Sequence, residues 1–171
     1  MNSNAAIKGT AVVTGASAGI GMVYADRLAA QGYDLILVAR RADRLNEVAK
    51  RLSAQHGIRA TALVEDLSKD AGVAAVVAAI SADPTITMLV NNAGVATLAG
   101  FTDTDLVSES LARIVEKTDR TREEALAELV KHNPQGRLID PSEVAEAVLW
   151  LCGEGARSVT GQAIAVAGGE I

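Results

Sequence analysis

The run Thr14-Gly15-Ala16-Ser17-Ala18-Gly19-Ile20-Gly21 holds the first residues whose types and spacing suit chemistry. Residues 10–14 before it form an apolar stretch of strand length. After it, Ile20, Val23, Tyr24 and Leu28 recur at three- and four-residue steps, the spacing of one helix face. The glycines therefore fall where a strand turns into a helix, and each has a steric reason to be there. Gly15 permits a sharp turn, Gly19 lets a pyrophosphate approach the backbone, and Gly21 allows helix and strand to pack closely. Unbonded N–H groups at the helix start and the positive end of its dipole then face the anion, and Ser17 and Ile20 are assigned to the same site. The same residues also spell Gly-x-Ser-x-Gly, the turn that exposes a hydrolase serine, here Ser17. That chemistry needs an acid and then a histidine downstream, and the chain has only His56 and His132. His132 is expected at a helix end beside Asn133-Pro134, where it would meet carbonyl groups. Anion binding is the preferred reading.

The residues after the second strand bear on which anion is bound. About 20 positions beyond the glycines, a dinucleotide fold selective for NAD places a carboxylate on the ribose 2′-hydroxyl, whereas a cation accommodates a 2′-phosphate. Here that place reads Val38-Ala39-Arg40-Arg41, with no acid and two guanidinium groups able to make charge-assisted bonds to phosphate. NADP(H) is favoured over NAD(H).

Four strand and helix pairs are needed to position these groups, and residues up to about 90 supply them. The run 34–39 is continuously apolar apart from its first residue, as expected for a strand covered on both faces, so the sheet is expected to be parallel. Gly32 ends the first helix. Leu45, Val48 and Leu52 mark a second helix; Val73, Val76, Val77 and Ile80 mark a third, after Ser68. Strands are expected at 58–64 and 86–90. Beyond Gly94 the alternation stops: 106–117, 121–132 and 142–152 read as helices, with one later strand at 162–166. Thr121 with Glu124 has the spacing of a capping box, and Asp140 precedes Pro141 at a first helical position.

A second motif, Asn91-Asn92-Ala93-Gly94 at the end of the fourth strand, together with the glycine run, makes the chain resemble the short-chain dehydrogenase/reductase family, and the spacing between the two motifs is similar too. The resemblance implies a Rossmann-like α/β fold with a parallel sheet ordered 3-2-1-4, a C-terminal strand expected beside the fourth, and helices on both faces. It implies that Asn91, Ala93 and Gly94 lie beside the adenine ribose and that Asp66 and Leu67 contact the adenine. Asp66 taken by itself would otherwise read as a helix-start acid. Asn133-Pro134-Gln135-Gly136-Arg137, Asp140-Pro141-Ser142-Glu143 and Thr160-Gly161-Gln162 resemble the family's substrate-loop helices, last long helix and final strand.

Between Gly94 and Leu106 the resemblance jumps. The family's catalytic Tyr-x-x-x-Lys pair and its serine are absent: Tyr24 is followed four residues on by Leu28, and Tyr33 by Leu37. The chain therefore reads as a truncated single domain, 1–171. Residues 1–100 form its nucleotide-binding half, and 101–171 are a remnant of the substrate region joined near Thr102-Asp103-Thr104-Asp105. Catalytic residues are expected to be none, since Ser108, Lys117 and His132 have no phenol to work with. The family's usual interface helices fall in the missing stretch, so its oligomeric state is not carried over.

Composition excludes other partners. A formal net charge of -5, with the acidic excess after Gly100 and no basic run, offers no footing for nucleic acid or an anionic membrane. One cysteine, Cys152, forbids an internal disulfide, and its apolar surroundings suggest a core residue. Two histidines and one cysteine give no metal site. The polar start and the lack of a spanning apolar stretch suggest a cytoplasmic protein whose partners are a dinucleotide and a small-molecule substrate.

Overall fold

Strand β1 (Thr10–Thr14) is buried at every position because sheet and helices enclose it on all sides. The computed structural model describes residues 8–93, 102–159 and 164–169. They belong to two compact units, Met1–Val95 and Ala96–Ile171. In the first unit β1 is followed by helix α1 (Gly19–Ala30), β2 (Asp34–Ala39), α2 (Ala42–His56), β3 (Ala60–Val64), α3 (Asp70–Ala82) and β4 (Ile86–Val90). The four strands are parallel in the order β3-β2-β1-β4. Three of them have the bounds expected from hydropathy. The third starts two residues late, because Gly57 closes α2 in the left-handed region at φ 69° and Arg59 is held by the Asp34 carboxylate, which accepts its N–H at 2.8 Å.

Side chains alternate across the sheet, so its two faces collect different cores. Helices α1 and α2 lie together on one face, where Tyr24, Ala25, Leu28, Leu45, Val48 and Leu52 are buried along with Ala11, Val13, Leu35 and Leu37. On the other face Val12 and Val38 meet Val76 of α3, with Ile36, Leu63, Leu67, Ile80 and Ile86 packed around them. Among the described residues of this unit, α3 is the helix that covers this second core.

The second unit contains α4 (Asp105–Lys117), α5 (Arg122–Val130), α6 (Pro141–Leu151) and a 3-10 turn at Glu154–Ala156. Val107 and Leu111 of α4 are buried against Ala125 of α5. Both expected caps are formed: the Glu124 N–H donates to Thr121 Oγ1 at 3.2 Å, and the Thr121 N–H donates to Glu124 Oε2 at 2.8 Å. At α6 the Asp140 side chain accepts from the Ser142 N–H at 2.7 Å, and Glu143 accepts from the Asp140 N–H at 2.8 Å. The Arg137 guanidinium grips Glu143 through both oxygens, at 2.7 and 2.8 Å. These bonds hold the Glu143 carboxyl at a pKa of about 2.

Three expectations for this unit are corrected. Helix α5 stops at Val130 because the chain turns around Asn133, whose N–H donates to the Val130 carbonyl and whose side chain binds the Gln135 N–H and the Arg137 carbonyl. Cys152 is exposed, since α6 fully buries only Ala145 and Cys152 is already its C-cap. The C-terminal strand expected at 162–166 is not formed over its described part, 164–166, and among the described residues β4 pairs only with β1. The tail is anchored instead through Gly168 and Gly169, whose positive φ turn lies against Asn133 and Pro134.

Candidate functional site

Parallel strands leave their carboxyl ends on one side of a sheet, and a crevice opens where chain order reverses direction. In the order β3-β2-β1-β4 that reversal lies between β1 and β4, with the glycine turn at its rim. Gly15 leaves β1 at φ 69°, and Gly19 starts α1 at φ 54°, both in the left-handed region that favours glycine. The Gly15 N–H is engaged by the Val38 carbonyl of β2 at 2.8 Å, which fixes the turn to the neighbouring strand. Ser17 is 6% exposed, and Ile20 lies in the first turn of α1. No side chain caps this helix and its first turn carries no acid, so its positive end is not neutralised from within.

Gly21 is required by packing. A Cβ there would collide with the Gly15 carbonyl oxygen and lie 2.6 Å from Asn92 Nδ2. The turn thus closes on itself and on the end of β4, a role broader than helix-on-strand contact alone.

A threonine joins the two motifs. Thr14 Oγ1 accepts the N–H groups of Asn92 and Ala93, both at 2.9 Å, and lies 3.3 Å from Asn91 Oδ1. Asn92 Nδ2 donates to the Thr14 carbonyl at 3.1 Å. Neither Thr14 nor Asn92 stood among the expected site residues, although both lie inside the quoted motifs. The available signal was that a hydroxyl at a strand end can tie down a neighbouring strand's unpaired amides. Replacing Thr14 with Val keeps the shape and leaves two N–H groups without their acceptor. We predict that Thr14→Val lowers unfolding stability in urea by about 1–3 kcal/mol while Thr14→Ser stays near the parent. Equal stability of the Val and Ser variants would remove this role.

The remaining expected residues lie at neighbouring strand ends. Arg40 and Arg41 follow β2 directly and are exposed. Asp66 follows β3, where its carboxylate accepts the Ser68 hydroxyl at 2.8 Å and the Ser68 N–H at 3.0 Å. Those bonds, aided by the fields of Arg40 and Lys69, hold it below the usual carboxylate range. Leu67 packs into the core beneath α3. Gly72, which the sequence did not single out, is required because a Cβ there would meet the Asp66 carbonyl oxygen. Asn91 and Ala93 follow β4, and Gly94 lies outside the described residues.

The hydrolase alternative draws on different groups. Ser17 is buried in the turn, and His56 pairs with Asp26 at 3.3 Å between α2 and α1. His132 belongs to the second unit. Among the described residues no group of three His, Cys, Asp or Glu is placed to hold a metal, and no helix is long and apolar enough to cross a membrane.

Comparison with known proteins agrees with this geometry. Residues 9–145 match the family described as short chain dehydrogenase. The very-long-chain 3-oxoacyl-CoA reductase of Meyerozyma guilliermondii is 41% identical over 85 residues, which is 49% of this chain and 25% of that protein. The matched stretch thus spans about a quarter of that relative's length. Among solved structures, L-sorbose reductase from Gluconobacter frateurii, complexed with NADPH and L-sorbose, superposes with a TM-score of 0.86 at 21% identity, covering 96% of this chain and 97% of that one. At that identity the likeness is one of fold. A short-chain dehydrogenase from Sphingobium yanoikuyae in complex with NADPH is 34% identical with a TM-score of 0.51, covering 84% of this chain and 49% of that one. With its family matched over most of its length, and with the glycine turn and the Asn91-Asn92 motif bonded together at the crevice, this chain belongs to the short-chain dehydrogenase family.

Proposed function

We propose that this chain is a dinucleotide-binding module of its family, favouring NADP(H) over NAD(H), and that it does not turn over alcohols or carbonyls by itself. The observation that carries the binding half is the α1 start: a left-handed glycine turn, no side-chain cap and no acid in the first turn, with Arg40 and Arg41 at the end of the adjacent strand. This cradle fits a pyrophosphate, since an acid or a large side chain at those positions would repel or exclude it. Gly15, Ser17, Gly19, Ile20 and Gly21 would hold the pyrophosphate, and Arg40 with Arg41 the 2′-phosphate. Asp66, Leu67, Asn91, Ala93 and Gly94 would line the adenosine side. When bound, the nicotinamide group supplies or accepts a hydride, and the residues named here only bind and orient it.

The NADPH in the Sphingobium yanoikuyae complex supports the cofactor assignment. On this reading residues 1–171 are one nucleotide-binding domain in which 101–171 is the remnant of a substrate region, and the protein acts in the cytoplasm.

Titration of the purified chain with NADPH and NADH by calorimetry tests the preference. NADPH should bind more tightly, and Arg40→Asp should narrow or reverse the difference by about tenfold or more, because a carboxylate repels the 2′-phosphate and accepts a bond from a hydroxyl. Equal affinity of the parent chain for the two would sink the assignment.

A further inference from the structure

We infer that a cavity at the amino ends of the strands, on the face away from α1 and α2, is a binding site for a small organic ammonium ion with a compact apolar body. This does not depend on the cofactor reading, because the cavity lies at the opposite end of the sheet from the glycine turn. It has a volume of about 290 Å³, and all the residues that line it belong to the first unit. Thr10 and Asp34 stand opposite each other at the start of β1 and β2, and Ile36 is in register with Thr61 of β3. Alternation puts these side chains on the face of Val12 and Val38, where Ala79 and Asp83 at the end of α3 complete the wall.

The lining has two parts. Ile36, Leu63 and Ala79 are apolar, whereas Asp34, Arg59 and Asp83 carry charge, with one negative charge in excess. Asp34 is buried and already served: one of its oxygens accepts the Arg59 N–H at 2.8 Å, and the other lies 3.3 Å from the Arg59 guanidinium. Asp83 is not balanced in this way. Its Oδ1 accepts the Thr85 hydroxyl at 2.6 Å and the Thr85 N–H at 2.9 Å, while its Oδ2 has no bonded partner among the described residues. The two Thr85 bonds, with a smaller contribution from the Arg59 charge, hold this carboxyl below the usual carboxylate range, so it is ionised at neutral pH. Asp83 is also the C-cap of α3, where the negative end of the helix dipole lies, and the last turn has no basic residue to answer it.

The occupant follows from that charge. An anion would meet the Asp83 carboxylate and the helix end, and Arg59, the cation in the lining, is already paired with Asp34. A neutral apolar molecule would leave the negative charge unanswered. A protonated amine gives the Asp83 Oδ2 a charge-assisted bond and stands at the negative end of α3, while its hydrocarbon lies on Ile36, Leu63 and Ala79. A bare divalent cation is poorly served, because it needs about six or more oxygen ligands and Asp83 offers a single free one.

Phenethylamine, protonated at neutral pH, is the probe, with phenethyl alcohol and phenylacetate as its neutral and anionic counterparts. Calorimetry on the full chain should give a Kd of about 1 mM for the amine and binding at least about tenfold weaker for the alcohol and the acid. Asp83→Asn keeps an oxygen for Thr85 and should bring the amine down to the level of the alcohol, with thermal unfolding close to that of the parent. Thr61→Phe, at an exposed position of β3, puts a ring into the cavity and should abolish binding of the amine. NADPH should not displace it. A parent chain that does not bind the amine overturns the proposal. So does equal binding of amine and alcohol, binding that withstands both substitutions, or displacement by NADPH, which would put the amine in the crevice between β1 and β4.

Discussion

Gly19→Asp should weaken NADPH binding by at least about a hundredfold while leaving the fold intact. The magnitude follows from charge: a carboxylate placed where the pyrophosphate must lie brings like charges together in a partly desolvated site, a penalty of several kcal/mol. The fold is spared for two reasons. Gly19 sits at φ 54°, a region that aspartate tolerates better than most residues, and an acid in the first turn of α1 suits the helix dipole. Thermal unfolding without ligand should therefore be close to that of the parent, while calorimetry with NADPH shows little heat. Gly21→Ala provides the contrast, because its methyl would meet the Gly15 carbonyl oxygen and distort the turn itself. Binding lost together with stability in Gly19→Asp would mean the glycine is needed for folding rather than for the anion. Undiminished binding would place the pyrophosphate elsewhere.

The first unit was legible in the sequence because its signals are local and redundant. An apolar strand, a glycine turn and an amphipathic helix occur together, and β1, β2 and β4 have the bounds that hydropathy alone suggests. What escaped depends on contacts between residues far apart in sequence. The Thr14 hydroxyl serves amides 78 and 79 residues away, and no pattern within a motif says which of its members reaches across. Gly72 looks like a poor helix residue until the Asp66 carbonyl is seen against it. In the second unit the capping boxes were readable because they close within three residues. The exposure of Cys152 is not legible in the sequence, because an apolar run shows only that a helix has apolar residues, and of α6 only Ala145 is buried.

Turnover is the other large effect. The purified 171-residue chain should interconvert ketones and secondary alcohols at no more than about 10⁻² per second, against about 10 per second for a median enzyme, because general acid–base catalysis contributes about 10² to 10⁴ and lost substrate positioning adds to that. Its two tyrosines are already placed. Tyr24 is 6% exposed inside α1. Tyr33 does have a lysine nearby, with Lys8 Nζ 5.9 Å from its ring centroid, but it precedes β2 and so lies at the amino ends of the strands. The crevice proposed for the cofactor is at the carboxyl ends, about 17–20 Å away along a strand of this length. Assays at the nicotinamide absorbance band over a broad substrate panel, with Gly19→Asp as the control, test this directly. Robust turnover that vanishes in the control would show that another group in this chain donates the proton, and the reading of a binding module without chemistry would have to be abandoned.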